Sequence, residues 1–167
     1  MKLGRVALLL GAATALQFFF GGSRHRAAWP VDCFLIATAL VSRGGNPSRA
    51  VLVGGALGFL EDAFANELLG MNAFAKAALG YVLAVLSGRV VVGGSWALAG
   101  ALALASLAND GVVALLSLLL LRAPLVLFSR EALWRAAATG VTGGFLEAAR
   151  NFPWREWWKN RVQGRLR

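Results

Sequence analysis

Long apolar runs separated by short polar segments are the feature that most constrains this chain. About 20 apolar residues in a helix cross the ~30 Å hydrocarbon core of a bilayer. Of the 167 residues, 58% are hydrophobic and 15% are charged, whereas a soluble domain is about 45–50% apolar and about 25% charged. The sequence therefore predicts an all-α integral membrane protein with a single domain over 1–149. The predicted spans are 6–22, 31–42, 50–65, 71–88, 96–121 and 132–149.

Two of these spans leave an alternative open. The first run follows Lys2 and Arg5 and precedes small residues, which is also typical of a signal peptide. The many apolar runs that follow it favour an uncleaved span. The stretch 90–121 would be about 48 Å long as one helix, too long for one span. Either a tilted helix runs over 96–121, or Asn109-Asp110-Gly111 forms a turn between two spans.

The basic residues set the predicted orientation. The formal net charge is +9, and a strongly basic soluble protein would suggest a nucleic-acid partner. Here the Lys and Arg residues lie mainly in short loops and at the ends of the chain. Six spans put both termini on one side, and that side collects eleven of the 17 Lys and Arg residues. The positive-inside rule then predicts an inner-membrane protein with both termini cytoplasmic, in contact with anionic lipid and not with nucleic acid.

The segment 150–167 is basic and rich in tryptophan. Its apolar residues recur at helical spacing, so it is predicted to lie on the inner leaflet as an amphipathic helix, with its tryptophans at headgroup depth. A solvated, frayed tail is the alternative. The predicted membrane-surface residues are Trp154, Trp157, Trp158, Arg155, Lys159 and Arg161.

Small residues four apart mark close helix contacts in two spans. Gly54 and Gly58 share a face with Asp62, and Gly140 and Gly144 repeat the spacing in the last span. Such pairs let a neighbouring helix backbone approach closely. The contact is expected either inside the bundle or with a partner protein.

The motifs of common enzyme and metal sites do not occur. The chain has no Walker A, His-Glu-x-x-His, Cys-x-x-Cys or Gly-x-Ser-x-Gly pattern, so we expect no enzyme, cofactor or metal. An acid–base dyad of Asp62 and Asp110, as in a membrane aspartyl protease, is the enzymatic alternative. The sequence motifs that surround each aspartate in such enzymes are missing.

Ionisable residues inside apolar runs each need a partner, since one at mid-membrane costs at least ~2.5–3.5 kcal/mol. Asp62 and Lys76 flank the turn at 66–70 at similar depth, which predicts an ion pair, with a snorkelling Lys76 as the alternative. Asp110 lies near the centre of its run and should face the interior, with Lys76, Asn109 or the backbone beside Gly111 as partner. Its role is either structural or a contact with a partner protein. Asp32 and Glu147 lie near span ends and are expected to reach the interface.

Several loose motifs together resemble the rod shape-determining protein MreD family. They are Trp29-Pro30-Val31-Asp32, Gly54-x-x-x-Gly58-x-x-x-Asp62, Leu69-Gly70-Met71-Asn72-Ala73, Gly80-Tyr81, Asn109-Asp110 and the segment 128–134. The resemblance covers roughly 30–149. Glu61 and the tryptophans of the tail depart from it.

The resemblance implies a non-enzymatic role in the bacterial inner membrane. Proteins of this family bind the bitopic protein MreC and help couple the MreB cytoskeleton to the peptidoglycan polymerase and transpeptidase. Their architecture of about six transmembrane helices resembles the substrate-binding subunit of ECF transporters. The alternative function is therefore a small-molecule-binding subunit of a membrane transporter.

Overall fold

The computed structural model describes residues 11–12, 14–15, 30–65, 68–87, 94–122 and 129–151. These residues form helices and connecting turns, with no strand among them. Each of the five complete helices begins and ends within three residues of the bounds of the corresponding predicted run, from the second run to the last. They are α1 (Cys33–Ser42), α2 (Pro47–Ala65), α3 (Met71–Ser87), α4 (Ser95–Leu121) and α5 (Arg130–Asn151). The predicted tail helix and most of the first predicted run lie outside the described residues.

Helix α4 is continuous through Asn109, Asp110 and Gly111. The predicted alternative of a turn at these residues, with a seventh span, is therefore wrong. Within the described part of the chain, α4 is the one helix long and apolar enough to cross a membrane, and α1 and α3 are shorter apolar helices.

Side-chain caps set where two of the helices begin. The carboxylate of Asp32 accepts a hydrogen bond of 2.8 Å from the backbone N–H of Leu35 at the start of α1. The hydroxyl of Ser129 accepts one of 3.0 Å from the N–H of Ala132 at the start of α5. Both satisfy backbone donors that the first helical turn leaves free.

Helix α1 lies at the centre of the fold. The hairpin α2–α3 and the hairpin α4–α5 pack around it, and α1 contacts all four of the other helices. Its apolar side chains are accordingly buried on most sides, with Phe34 and Leu35 fully inaccessible. A short helix that is apolar all round is expected in such a central position.

The predicted small-residue contacts are present, and they are internal. A Cβ at Gly54 would strike the backbone carbonyl of Lys76, and one at Gly58 would strike that of Asn72. In the other hairpin a Cβ at Gly140 would lie 2.7 Å from the carbonyl oxygen of Ala99, and one at Gly144 would lie 2.8 Å from the Ala99 Cβ. Glycine therefore allows α2 to touch α3, and α5 to touch α4, at backbone distance.

We expect Gly58→Ala to destabilise the protein by about 1–3 kcal/mol, because the added methyl group forces α2 and α3 apart. The matched control is Gly100→Ala on α4, where an added Cβ meets nothing within 4 Å. The control should be neutral or up to about 1 kcal/mol more stable, since alanine favours the helix. Unfolding of the detergent-solubilised protein measures both, and equal stabilities would contradict the close contact.

Candidate functional site: a buried charge cluster

A fully buried lysine joins three helices. The ammonium nitrogen of Lys76 on α3 lies 2.6 Å from Oδ2 of Asp32 and 2.8 Å from Oε2 of Glu61. Asp32 precedes α1, and Glu61 lies on α2. The Lys76 side chain is inaccessible to solvent, and those of Asp32 and Glu61 are 8% and 21% exposed. Such a burial is tolerated only with close counter-charges.

Asp32 also connects this ion pair to α5. Its backbone N–H donates a hydrogen bond of 3.0 Å to the hydroxyl of Thr139, which is itself fully buried. One carboxylate oxygen caps α1 and the other binds Lys76. The side chain of Asp32 is thus held in place from both sides.

The predicted ion pair between Asp62 and Lys76 is wrong. The carboxylate of Asp62 instead accepts hydrogen bonds from the first turn of α3. Its donors are the backbone N–H groups of Gly70 (2.8 Å), Asn72 (3.2 Å) and Ala73 (3.3 Å) and the side-chain amide of Asn72 (2.8 Å). Free N–H groups and the helix dipole make this turn attractive for an anion.

Glu61, the residue next to Asp62, pairs with Lys76 instead. Glu61 and Asp62 point about 100° apart on α2, as consecutive helical residues do, and Glu61 is the one that faces Lys76. The alternative of a snorkelling Lys76 is also wrong, since the side chain is fully buried. The four donors on Asp62 leave it engaged in structure, which argues against the dyad with Asp110.

Asp110 faces the interior from the centre of α4, as predicted. Of the expected partners, the side chain of Asn109 is close enough to interact with its carboxylate, and Arg135 is a partner that was not expected. Oδ1 of Asp110 lies 3.5 Å from a guanidinium nitrogen of Arg135 on α5. The Asp110 side chain is 18% exposed and that of Arg135 is 47% exposed, so this contact lies at the edge of the buried cluster. The charges of Asp32 and Lys76 act on Asp110, and that of Arg135 acts on Glu61. The five side chains therefore form one electrostatic unit, called here the charge cluster.

A second set of ion pairs lies at the opposite end of α1. Glu147 on α5 contacts Arg43, the residue that follows α1, at 2.5 Å, and Arg150 at 3.0 Å. Glu147 and Asp32 are both buried, so the expectation that they reach the interface is wrong for both. Each end of α1 is instead fixed by a buried carboxylate with a cationic partner.

Comparison of the chain with protein-family models, with curated proteins and with solved structures finds no match. The site must therefore be interpreted from its own residues. Among the described residues, no three His, Cys, Asp or Glu side chains are grouped to hold a metal ion. The contacts of the charge cluster join α1, α2 and α3 through Lys76, and α4 and α5 through Asp110 and Arg135.

Sequence reasoning missed Asp32, Glu61, Arg135 and Thr139 as members of one site. Asp32 was expected only to reach the interface, and an acidic residue near the end of a span does not by itself indicate a lysine partner. Arg135 lies one turn into α5, where a basic residue is also typical of an interface anchor. Its approach to Asp110 depends on the packing of α4 on α5.

Removing the buried ammonium should be severely destabilising. Lys76→Met leaves Asp32 and Glu61 adjacent without a counter-charge, and we expect a loss of about 3–5 kcal/mol in the free energy of unfolding. The double variant Lys76→Met with Glu61→Gln removes one of the two charges and should recover part of that loss. Denaturation of the wild-type protein, the single variant and the double variant in detergent measures the three free energies of unfolding. A double variant less stable than Lys76→Met would contradict the pairing of Glu61 with Lys76.

Asp62→Ala should loosen the α2–α3 hairpin. The substitution leaves several N–H groups of α3 without an acceptor, and we expect a loss of at least about 2 kcal/mol. The control is Glu131→Ala, which removes an exposed acid from the first turn of α5 and should cost under about 1 kcal/mol. Similar losses in the two variants would argue against the capping role of Asp62.

Proposed function

We propose that this chain is a multi-pass, non-enzymatic protein of the bacterial inner membrane that acts in cell elongation. In this proposal it binds an MreC-like bitopic protein and helps couple the MreB cytoskeleton to peptidoglycan synthesis and cell shape. The observation that carries it is that motifs of the resemblance contact one another. Gly58 and Asp62 of one motif meet Asn72 and Ala73 of another.

The distribution of polar and apolar residues supports a membrane location. Carboxylates and a lysine are buried, while large apolar side chains cover the outside of the helices. Leu104 is 70% exposed and Phe145 is 71% exposed, on α4 and α5. In water this arrangement would leave an extensive apolar surface exposed. In a bilayer the same side chains would contact the apolar lipid tails. Other large side chains that are at least half exposed are Leu52, Phe59, Leu69, Phe74, Tyr81, Trp96, Leu115, Leu119, Leu120, Leu121, Leu133, Trp134 and Val141.

We further propose a bundle of about six spans, like the substrate-binding subunit of ECF transporters, with both termini cytoplasmic. The loop between α1 and α2 then faces the cytoplasm, and the turn before α3 faces outward. Single cysteines at Ser48 and Leu69, which are exposed, test this after Cys33→Ser. An impermeant maleimide should label Leu69→Cys in intact spheroplasts and Ser48→Cys only after lysis. The reverse pattern would contradict the orientation.

Partner binding is tested by affinity purification from bacterial membranes, followed by identification of the associated proteins. We expect an MreC-like bitopic protein to be recovered with the wild-type chain. Asp110→Asn, which removes a charge at the edge of the charge cluster, should fold and recover less of it, whereas Glu131→Gln should recover as much as wild type. Recovery of no such protein would contradict the proposed role.

A small-molecule-binding transporter subunit is the second candidate. The observation that favours it is the charge cluster itself, because it lies where α1 and α3 begin and α2 ends, near the proposed outer face. A polar site at that depth suits a small solute. Copurification of a transporter energising module, with no MreC-like protein, would favour this candidate.

A further inference from the structure

Two buried oxygens on α4, at the edge of the charge cluster, have no hydrogen-bond donor among the described residues. They are Oδ1 of Asn109 and Oδ2 of Asp110. Asn109 is 3% exposed, and its carboxamide is close enough to interact with the Asp110 carboxylate. A buried acceptor without a donor costs about 1–3 kcal/mol. These two neighbouring acceptors therefore favour a bound group that supplies positive charge or hydrogen-bond donors.

The formal charges of the cluster also favour a bound cationic group. Asp32, Glu61 and Asp110 are acidic, and only Lys76 and Arg135 are basic. With all five ionised, one negative charge is left without compensation. Lys76 is occupied by two carboxylates, so it cannot balance a third.

Arg135, the fifth member of the charge cluster, makes only a weak contact with Asp110. Arg135 contacts Asp110 at 3.5 Å through Oδ1 alone and is about half exposed. This distance is at the long limit of a hydrogen bond. The guanidinium is therefore held to Asp110 by one weak contact, on the exposed side of the charge cluster.

We propose that Asn109 and Asp110 bind a monovalent cationic group, either an alkali ion or the ammonium head of a small molecule. Oδ1 of Asn109 and Oδ2 of Asp110 are the ligands, and the carboxylate of Asp110 provides the attraction for a cation. A transition metal does not suit the site, because no group of three His, Cys, Asp or Glu side chains is present in the described residues. Oxygen ligands from one carboxylate and one amide suit a weakly held monovalent charge. This inference stands whether or not an MreC-like protein is the partner.

The test compares salts on the purified full-length protein in detergent. Thermal unfolding is followed at constant ionic strength in sodium, potassium or methylammonium chloride, with bulky N-methyl-D-glucamine chloride as reference. Ligand binding to the folded state raises the unfolding midpoint, so we expect a rise of several degrees in at least one of the three salts. Sodium or potassium as the effective cation assigns an alkali ion, and methylammonium assigns an ammonium head.

Three variants make the test specific. Asp110→Asn should abolish the rise, and Glu131→Gln, which lies outside the cluster, should retain it. Arg135→Gln removes the competing guanidinium and should lower the half-saturating cation concentration several-fold, an effect opposite to that of general damage. Equal midpoints of the wild-type protein in all four salts would overturn the proposal. An undiminished rise in a folded Asp110→Asn protein, or an unchanged half-saturating concentration in Arg135→Gln, would also overturn it.

Discussion

The ammonium of Lys76 between Asp32 and Glu61 is the interaction on which the arrangement of the helices depends. Its burial is tolerated because two carboxylates, from α1 and α2, reach the same nitrogen. The backbone of the same residue packs on Gly54, where a Cβ would strike its carbonyl. The closest approach of α2 to α3 and the charge that needs both helices therefore occur at one residue. A shift of either helix would break both contacts together.

Helix α1 links the Lys76 ion pair to the rest of the fold. Asp32 at its start is joined to α3 by Lys76 and to α5 by Thr139, and Arg43 at its end is joined to α5 by Glu147. A central apolar helix packed by side-chain contacts alone could slide or rotate. The buried ion pairs at both ends fix its position, which gives them a role in specifying the structure beyond any net gain in stability.

The sequence was sufficient for the five described helices and for the glycine contacts, because both follow from local periodicity and residue size. It also indicated that Asp110 faces inward, since a carboxylate in the middle of an apolar helix requires an interior environment. It was insufficient for ion-pair partners. Glu61 and Asp62 are adjacent, and only the rotation of α2 decides which one faces Lys76. The contact of Arg135 with Asp110 depends on the register of α4 against α5, which no local pattern encodes.

The central claim, a fully buried Lys76, is tested most directly by the reactivity of its amine. The native protein in detergent is treated with an amine-reactive reagent, and modification at Lys76 is measured by mass spectrometry against the denatured protein. The account predicts that Lys76 stays unmodified until the chain unfolds, because its ammonium is inaccessible and held by two carboxylates. Modification of Lys76 in the folded protein at the rate of the denatured chain would contradict the account.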